Sequence, residues 1–169
     1  GQTVTTGVKG WSQVAGTFVG GDSLIDVNLG TSALEGEFSL AGGTFTSTSG
    51  ELRVSYNNMV AGTYNVFTID GAATFNHGSG SITWKVGGEN DCSTKDRNFT
   101  VDVPSGLSLQ DLKVDYFSAG CMNNKDNIIF TTSPTIMVNG DFTFGYNKLN
   151  QGTIEVYGDL NVGGAYPIN

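Results

Sequence analysis

Along most of this chain apolar residues alternate with polar ones, and glycine interrupts the alternation at short intervals. A two-residue period is that of a half-buried strand, and glycine at each interruption permits a bend with positive φ or a close approach of neighbouring backbone. The bends recur. One pattern reads Thr-Phe, four residues, a small residue, any residue, an aliphatic residue, any residue, an apolar residue. It occurs at Thr17-Phe18 with Ser23, Ile25 and Val27, at Thr44-Phe45 with Gly50, Leu52 and Val54, and at Thr74-Phe75 with Gly80, Ile82 and Trp84. A fourth copy, Thr143-Phe144 with Gly152, Ile154 and Val156, carries a three-residue insertion. A second pattern, aliphatic-any-Gly-acidic-Phe/Leu-any-apolar, is found at Leu34–Leu40, Val138–Phe144 and Val156–Val162, with a weaker version at Ile69–Phe75.

Repetition at such intervals points to a β-solenoid, in which each repeat is one coil and each strand pairs with its equivalent in the next. Phe45 follows Phe18 by 27 residues, and Phe75 follows Phe45 by 30. The competing architecture is an antiparallel sandwich or jelly roll, because Asp70-Gly71 and Asn139-Gly140 match two-residue hairpin turns. The regular recurrence of glycine favours the short, parallel β-helix-like solenoid. No segment has a capped 3.6-residue period; Leu107 to Ala119 is the best helix candidate and reads equally well as strand. We therefore expect a single all-β domain over 1–169, with repeats near 14–27, 40–54, 71–84 and 138–162. The polar stretches around Glu89–Asn98 and Cys121–Asn127 break the rhythm and read as a loop excursion over 89–127.

Composition narrows the function. Glycine makes up 25 of 169 residues, and 16 acidic against 8 basic residues leave a formal charge of −8. That charge repels a nucleic-acid phosphate backbone. No apolar run approaches the ~20 residues of a membrane-spanning helix. The two cysteines, Cys92 and Cys121, are expected to form one disulfide in a secreted protein, tying the two polar loops together. Asn98-Phe99-Thr100 makes Asn98 a candidate glycosylation acceptor.

Catalytic and metal signatures are sparse. His77 is the one histidine and stands in a turn-like Asn76-His77-Gly78-Ser79. The sequence has no Gly-x-Ser-x-Gly elbow, no zinc-type Cys/His cluster and no glycine-rich phosphate loop, so no enzyme is expected. No cofactor is expected either. Calcium is a weak option through Asp22 and Asp26 beside Gly20-Gly21, or through the loop acids Asp91, Asp96 and Asp126. Trp11, Tyr56, Tyr64, Tyr146, Tyr157 and Tyr166 are candidates for surface contacts with sugars or subunits.

The stretch Ala73–Trp84 resembles a repeat unit of secreted bacterial surface proteins of the β-solenoid, adhesin-like kind. In those chains such a stretch precedes a short strand and then a glycine–acid turn, to which Leu109–Val114 and Val156–Val162 are similar. The resemblance implies an extracellular β-solenoid at a cell surface. A solenoid's end coils leave strand edges open. The strand-like Gln2-Thr3-Val4 and the closing Tyr166-Pro167-Ile168 make Gln2, Val4, Tyr166 and Ile168 candidate subunit contacts. The expected function is a structural subunit that polymerises with itself, head to tail, into a filament, tube or sheath; the alternative is a monomeric adhesin or carbohydrate-binding module with glycan partners.

Overall fold

The computed structural model describes residues 4–5, 10–30, 36–57, 60–87, 96–116, 125–145 and 148–163. They form strands and no helix, and every strand pair among them is parallel. After β1 (Val4–Thr5) the chain winds through coils of three strands. The first coil holds β2 (Gly10–Gln13), β3 (Thr17–Val19) and β4 (Ile25–Asn28); the second holds β5 (Glu37–Leu40), β6 (Gly43–Thr46) and β7 (Glu51–Asn57). The third holds β8 (Gly62–Ile69), β9 (Ala73–Asn76) and β10 (Ser81–Gly87), and the fourth β11 (Asp96–Asp102), β12 (Leu107–Leu109) and β13 (Asp111–Tyr116). The fifth holds β14 (Lys125–Phe130), β15 (Thr135–Val138) and β16 (Phe142–Phe144), and the sixth β17 (Lys148–Asn150), β18 (Thr153–Val156) and β19 (Leu160–Val162).

Three faces result. A seven-stranded sheet runs β1-β4-β7-β10-β13-β16-β19, and a six-stranded sheet runs β17-β14-β11-β8-β5-β2. The third face is split into two three-stranded sheets, β3-β6-β9 and β12-β15-β18. The fold is thus the parallel β-solenoid expected from the repeats, and the sandwich alternative falls away. Asp70-Gly71 and Asn139-Gly140 are corners between parallel faces, not hairpin turns. The candidate helix at Leu107–Ala119 is, over its described part, β12 and β13. The described residues of the expected 89–127 excursion supply the whole fourth coil.

The alternation builds the interior because parallel, in-register strands stack like residues in columns. Val4, Ile25, Leu52, Ile82, Leu112, Phe142 and Leu160 share one register position across the seven-stranded sheet. Val27, Val54, Trp84, Val114, Phe144 and Val162 share the next inward-pointing one. From Ile25 to Val114 every member of these two columns is buried. Burying one such side chain stabilises the fold by about 1.5–3 kcal/mol. The Thr-Phe repeat puts Phe18, Phe45 and Phe75 in register on β3, β6 and β9, with stacked rings 4.9 and 5.8 Å apart. The fourth copy departs from this: Thr143-Phe144 lies on β16 of the seven-stranded sheet, in the column of Trp84 and not of Phe75.

Glycine at the recurring corners answers to close approach more than to φ. Gly50 and Gly80 do not adopt positive φ. A Cβ on Gly80 would instead overlap the Gly50 carbonyl oxygen in the coil below.

The split in the third face has a countable cause. Thr68 pairs with Asp102, and Ser81 with Asp111. Ser81 follows Thr68 by 13 residues, whereas Asp111 follows Asp102 by only 9. Four residues separate β9 from β10, but only Gln110 separates β12 from β13. The shorter arc draws β12 toward the seven-stranded sheet, so β9 and β12 do not join. A second contraction occurs in the last coil. Phe142 follows Ile129 by 13 residues, and their partners Asn150 and Leu160 are 10 apart.

Candidate functional site

Two features stand out: the open C-terminal coil and the step between the third and fourth coils. In the last coil, Leu160 is 60% exposed and Val162 72%, although each ends a column that is buried further down the stack. Tyr157, beside them, is 67% exposed.

Ladders made by side chains climb to the same coil, and these run in one direction. At the corner entering the seven-stranded sheet, Asp141 N–H donates to Asp111 Oδ1 at 2.8 Å, and Asp159 N–H donates to Asp141 Oδ1 at 2.9 Å. Gly158 N–H donates to the Gly140 carbonyl at 3.0 Å in the same corner. Both glycines are required there, since a Cβ on either would meet the aspartate of the coil below. On the six-stranded sheet, Asn98 Nδ2 donates to Thr63 Oγ1 (3.4 Å), Asn127 Nδ2 to Asn98 Oδ1 (2.9 Å) and Asn150 Nδ2 to Asn127 Oδ1 (3.4 Å). In each ladder the later coil donates and the earlier coil accepts. The C-terminal coil therefore ends on acceptors, the Asp159 carboxylate and Asn150 Oδ1, which receive no hydrogen bond among the described residues.

Of the candidate subunit contacts, Val4 lies on β1, the terminal strand at the opposite end of the seven-stranded sheet. Gln2, Tyr166 and Ile168 lie outside the described residues, as do Cys92, Cys121, Tyr146 and Asp91. Among the described residues there is no disulfide. Cys92 and Cys121 nevertheless stand at equivalent places in the chain, each four residues before one of a paired couple, Asp96 and Lys125.

Several surface expectations are corrected. Tyr56 and Tyr64 are 1% and 7% exposed and belong to the core, their rings meeting edge to face at 5.3 Å. Trp11 is half-buried against Phe18 and Phe45. Among the described residues of that group, Tyr157 is the one found at the surface. Asn98 is half-buried within the amide ladder. His77 is in a turn, where its Nδ1 accepts the Ser79 N–H at 3.1 Å. Asp22 accepts a hydrogen bond from Ser23, and Asp26 lies 3.8 Å from Arg53. Among the described residues no three His, Cys, Asp or Glu side chains gather as metal ligands.

The step forms a groove of about 500 Å³, which the alternation pattern did not reveal. Ile69, Val103 and Pro134 give it a buried apolar floor, and Thr68, Asp70, Asp102, Ser105 and Thr132 stand around it. Asp70 Oδ1 accepts the Ala72 N–H, Thr132 Oγ1 donates to the Val103 carbonyl, and Ser105 Oγ accepts the Thr135 N–H. Among the described residues nothing hydrogen-bonds the Asp102 carboxylate. The volume lies within the usual range of small-molecule sites, roughly 300–1,000 Å³. Its lining sets hydroxyls and two carboxylates around an apolar floor. The only sequence signal for it is the shortened spacing from Asp102 to Asp111, which acquires meaning once the register is known.

The chain matches no protein-family model, no curated protein and no solved structure. Among the described residues no helix is long and apolar enough to cross a membrane.

Proposed function

We propose that this chain is an extracellular structural subunit that assembles with itself, head to tail, into a filament, tube or sheath. The observation that carries this reading is the sixth coil, where Tyr157, Leu160 and Val162 are exposed and the Asp159 carboxylate and Asn150 Oδ1 receive no hydrogen bond among the described residues. A strand edge of this kind is a template for pairing with another chain. Contacts that repeat by translation do not close on themselves and give fibres. Secretion enters this reading through the resemblance to bacterial surface solenoids. Neither a catalytic activity nor a cofactor enters this reading.

Negative-stain electron microscopy and sedimentation over a concentration series test it. Regular filaments or tubes that grow with concentration are expected. Dispersed monomers throughout would refute it.

The groove at the step favours a second reading, a surface module that binds glycans. A glycan screen would then find a ligand whose binding is lost in Asp102→Ala. That substitution removes a carboxylate with no structural partner, so the fold should survive it.

A further inference from the structure

Two corners of the solenoid carry a reactive pair of residues, Asp70-Gly71 between β8 and β9 and Asn139-Gly140 between β15 and β16. A glycine that follows aspartate or asparagine has no side chain to shield its amide nitrogen, which can attack Cγ of the residue before it. We infer that Asp70-Gly71 is a site of spontaneous aspartate isomerisation in the folded protein, and that Asn139-Gly140, the faster of the two pairs in an unstructured chain, is kept intact by the coil beneath it.

The chemistry needs only water. At Asp70 the Gly71 nitrogen forms a bond to Cγ and gives up its proton, and one carboxyl oxygen leaves as water. Water then reopens the cyclic imide at either carbonyl, to aspartate or to isoaspartate. At Asn139 the same ring closure would expel ammonia. Both routes require an amide nitrogen free to turn toward Cγ and a side chain free to meet it.

Exposure does not separate the pairs, since Asp70 and Asn139 are both exposed. Hydrogen bonding does. The Asn139 N–H donates to the Leu109 carbonyl at 2.9 Å, the Gly140 N–H to the Gln110 carbonyl at 2.7 Å, and the Asp141 N–H to Asp111 Oδ1 at 2.8 Å. The Asn139 side chain is tied as well, its Nδ2 donating to Ser108 Oγ at 3.0 Å. Ring closure there must break the bond of the attacking nitrogen and the bond of the leaving amide. A Cβ on Gly140 would also run into Asp111, so the peptide has no room to turn.

The other corner lacks these restraints. The Asp70 N–H donates to the Leu40 carbonyl at 2.8 Å, and the Asp70 carbonyl accepts the Ala73 N–H at 2.9 Å. Between these anchors the Gly71 N–H makes no hydrogen bond among the described residues, and a Cβ built on Gly71 meets nothing within 4 Å. The Asp70 side chain folds back along its own turn, where Oδ1 accepts the Ala72 N–H at 3.1 Å. The carboxyl carbon is thereby held beside the Gly71 peptide. Asp70 and Gly71 line the groove at the step, so the product alters that groove. Isoaspartate adds a methylene to the main chain at the corner and leaves its carboxylate directly on Cα.

Incubation of the native protein, and of the chain unfolded in denaturant at the same pH, tests this with each site as its own reference. Digestion and electron-transfer fragmentation distinguish aspartate from isoaspartate, and the mass of the Asn139 peptide reports loss of ammonia. Isoaspartate at position 70 should form at a similar rate in both states. Deamidation of Asn139 should be at least about tenfold slower in the native state, the scale of the two hydrogen bonds that local opening must break. Equal rates at Asn139 in the two states would overturn its protection. Isoaspartate at position 70 in the unfolded chain but not in the native protein would overturn the site. Gly71→Ala fits the open corner and should keep the wild-type thermal midpoint while suppressing the product at Asp70. Product at the wild-type rate in that variant would overturn the role of the Gly71 nitrogen.

Discussion

The three coils before the step and the three after it share one frame but fill it differently. Before the step the third face carries Phe18, Phe45 and Phe75, which meet Trp11, Phe38 and Phe67 inside a wide cross-section. After it, the same face carries Leu107, Leu109, Ile136, Val138, Ile154 and Val156. The difference follows the arc length. In the third coil a 13-residue arc leaves an interior that rings fill, and in the fourth the equivalent 9-residue arc leaves one that aliphatic side chains close. Trp84 spans the change, with its ring 5.6 Å from Phe67 on one side and 6.1 Å from Phe130 on the other. Wall circumference and side-chain volume have to change together, because a close-packed interior tolerates neither voids nor overfilling. The groove at the step is the external mark of that adjustment.

This comparison can be broken most sharply in the wide half. Phe45 is fully buried and touches the rings of Trp11, Phe18, Phe38 and Phe75. Phe45→Ala should cost about 3–5 kcal/mol in chemical denaturation, against about 2–5 for Ile136→Ala in the narrow half. Equal costs would mean that the aromatic stack adds nothing to area burial.

The junction between the halves gives the next effect. If Cys92 and Cys121 are joined, the bridge links the connection after the third coil to the one after the fourth. Cys92→Ser should then cost about 3–4 kcal/mol under oxidising conditions on the chain-entropy estimate for a loop of this length. Reductant should cost wild type a similar amount. Two titratable thiols in the oxidised, folded protein would remove the bridge.

Glycine substitutions compare tight corners with open ones. Gly43 combines φ of +79° with a Cβ direction that runs into the Gly16 carbonyl, while Gly106 has φ of +83° and open space. Gly43→Ala should cost clearly more than Gly106→Ala, for which about 1 kcal/mol of backbone strain is expected. Matching thermal shifts for the two would mean that φ alone sets the requirement at Gly43.

The smallest effect sharpens the account of the narrow half. Asp141→Ala removes the acceptor of the Asp159 N–H and should cost about 1 kcal/mol. Asp141→Asn, which retains an acceptor, should recover most of it. Hydrogen exchange at the Asp159 amide reads the same bond directly, and should speed up in the alanine variant only.

The strand alternation and the parallel repeat were written in the sequence, because side chains point alternately to opposite faces of a strand and equivalent strands stack. The glycine–acid pairs at 140–141 and 158–159 were legible as corners for the same reason. Three matters belonged to the tertiary structure. Thr143-Phe144 carries the local signature of the third face but lies on the seven-stranded sheet, since a pattern of a few residues specifies a strand and a bend without saying which face follows. Tyr56 and Tyr64 look like surface candidates by type, yet they are core, because only the register decides which side of the wall a residue occupies. The step and its groove were invisible until Thr68 had been paired with Asp102 and Ser81 with Asp111. A contraction of the wall is a difference between two arcs, and an arc has no length until long-range pairing sets its ends.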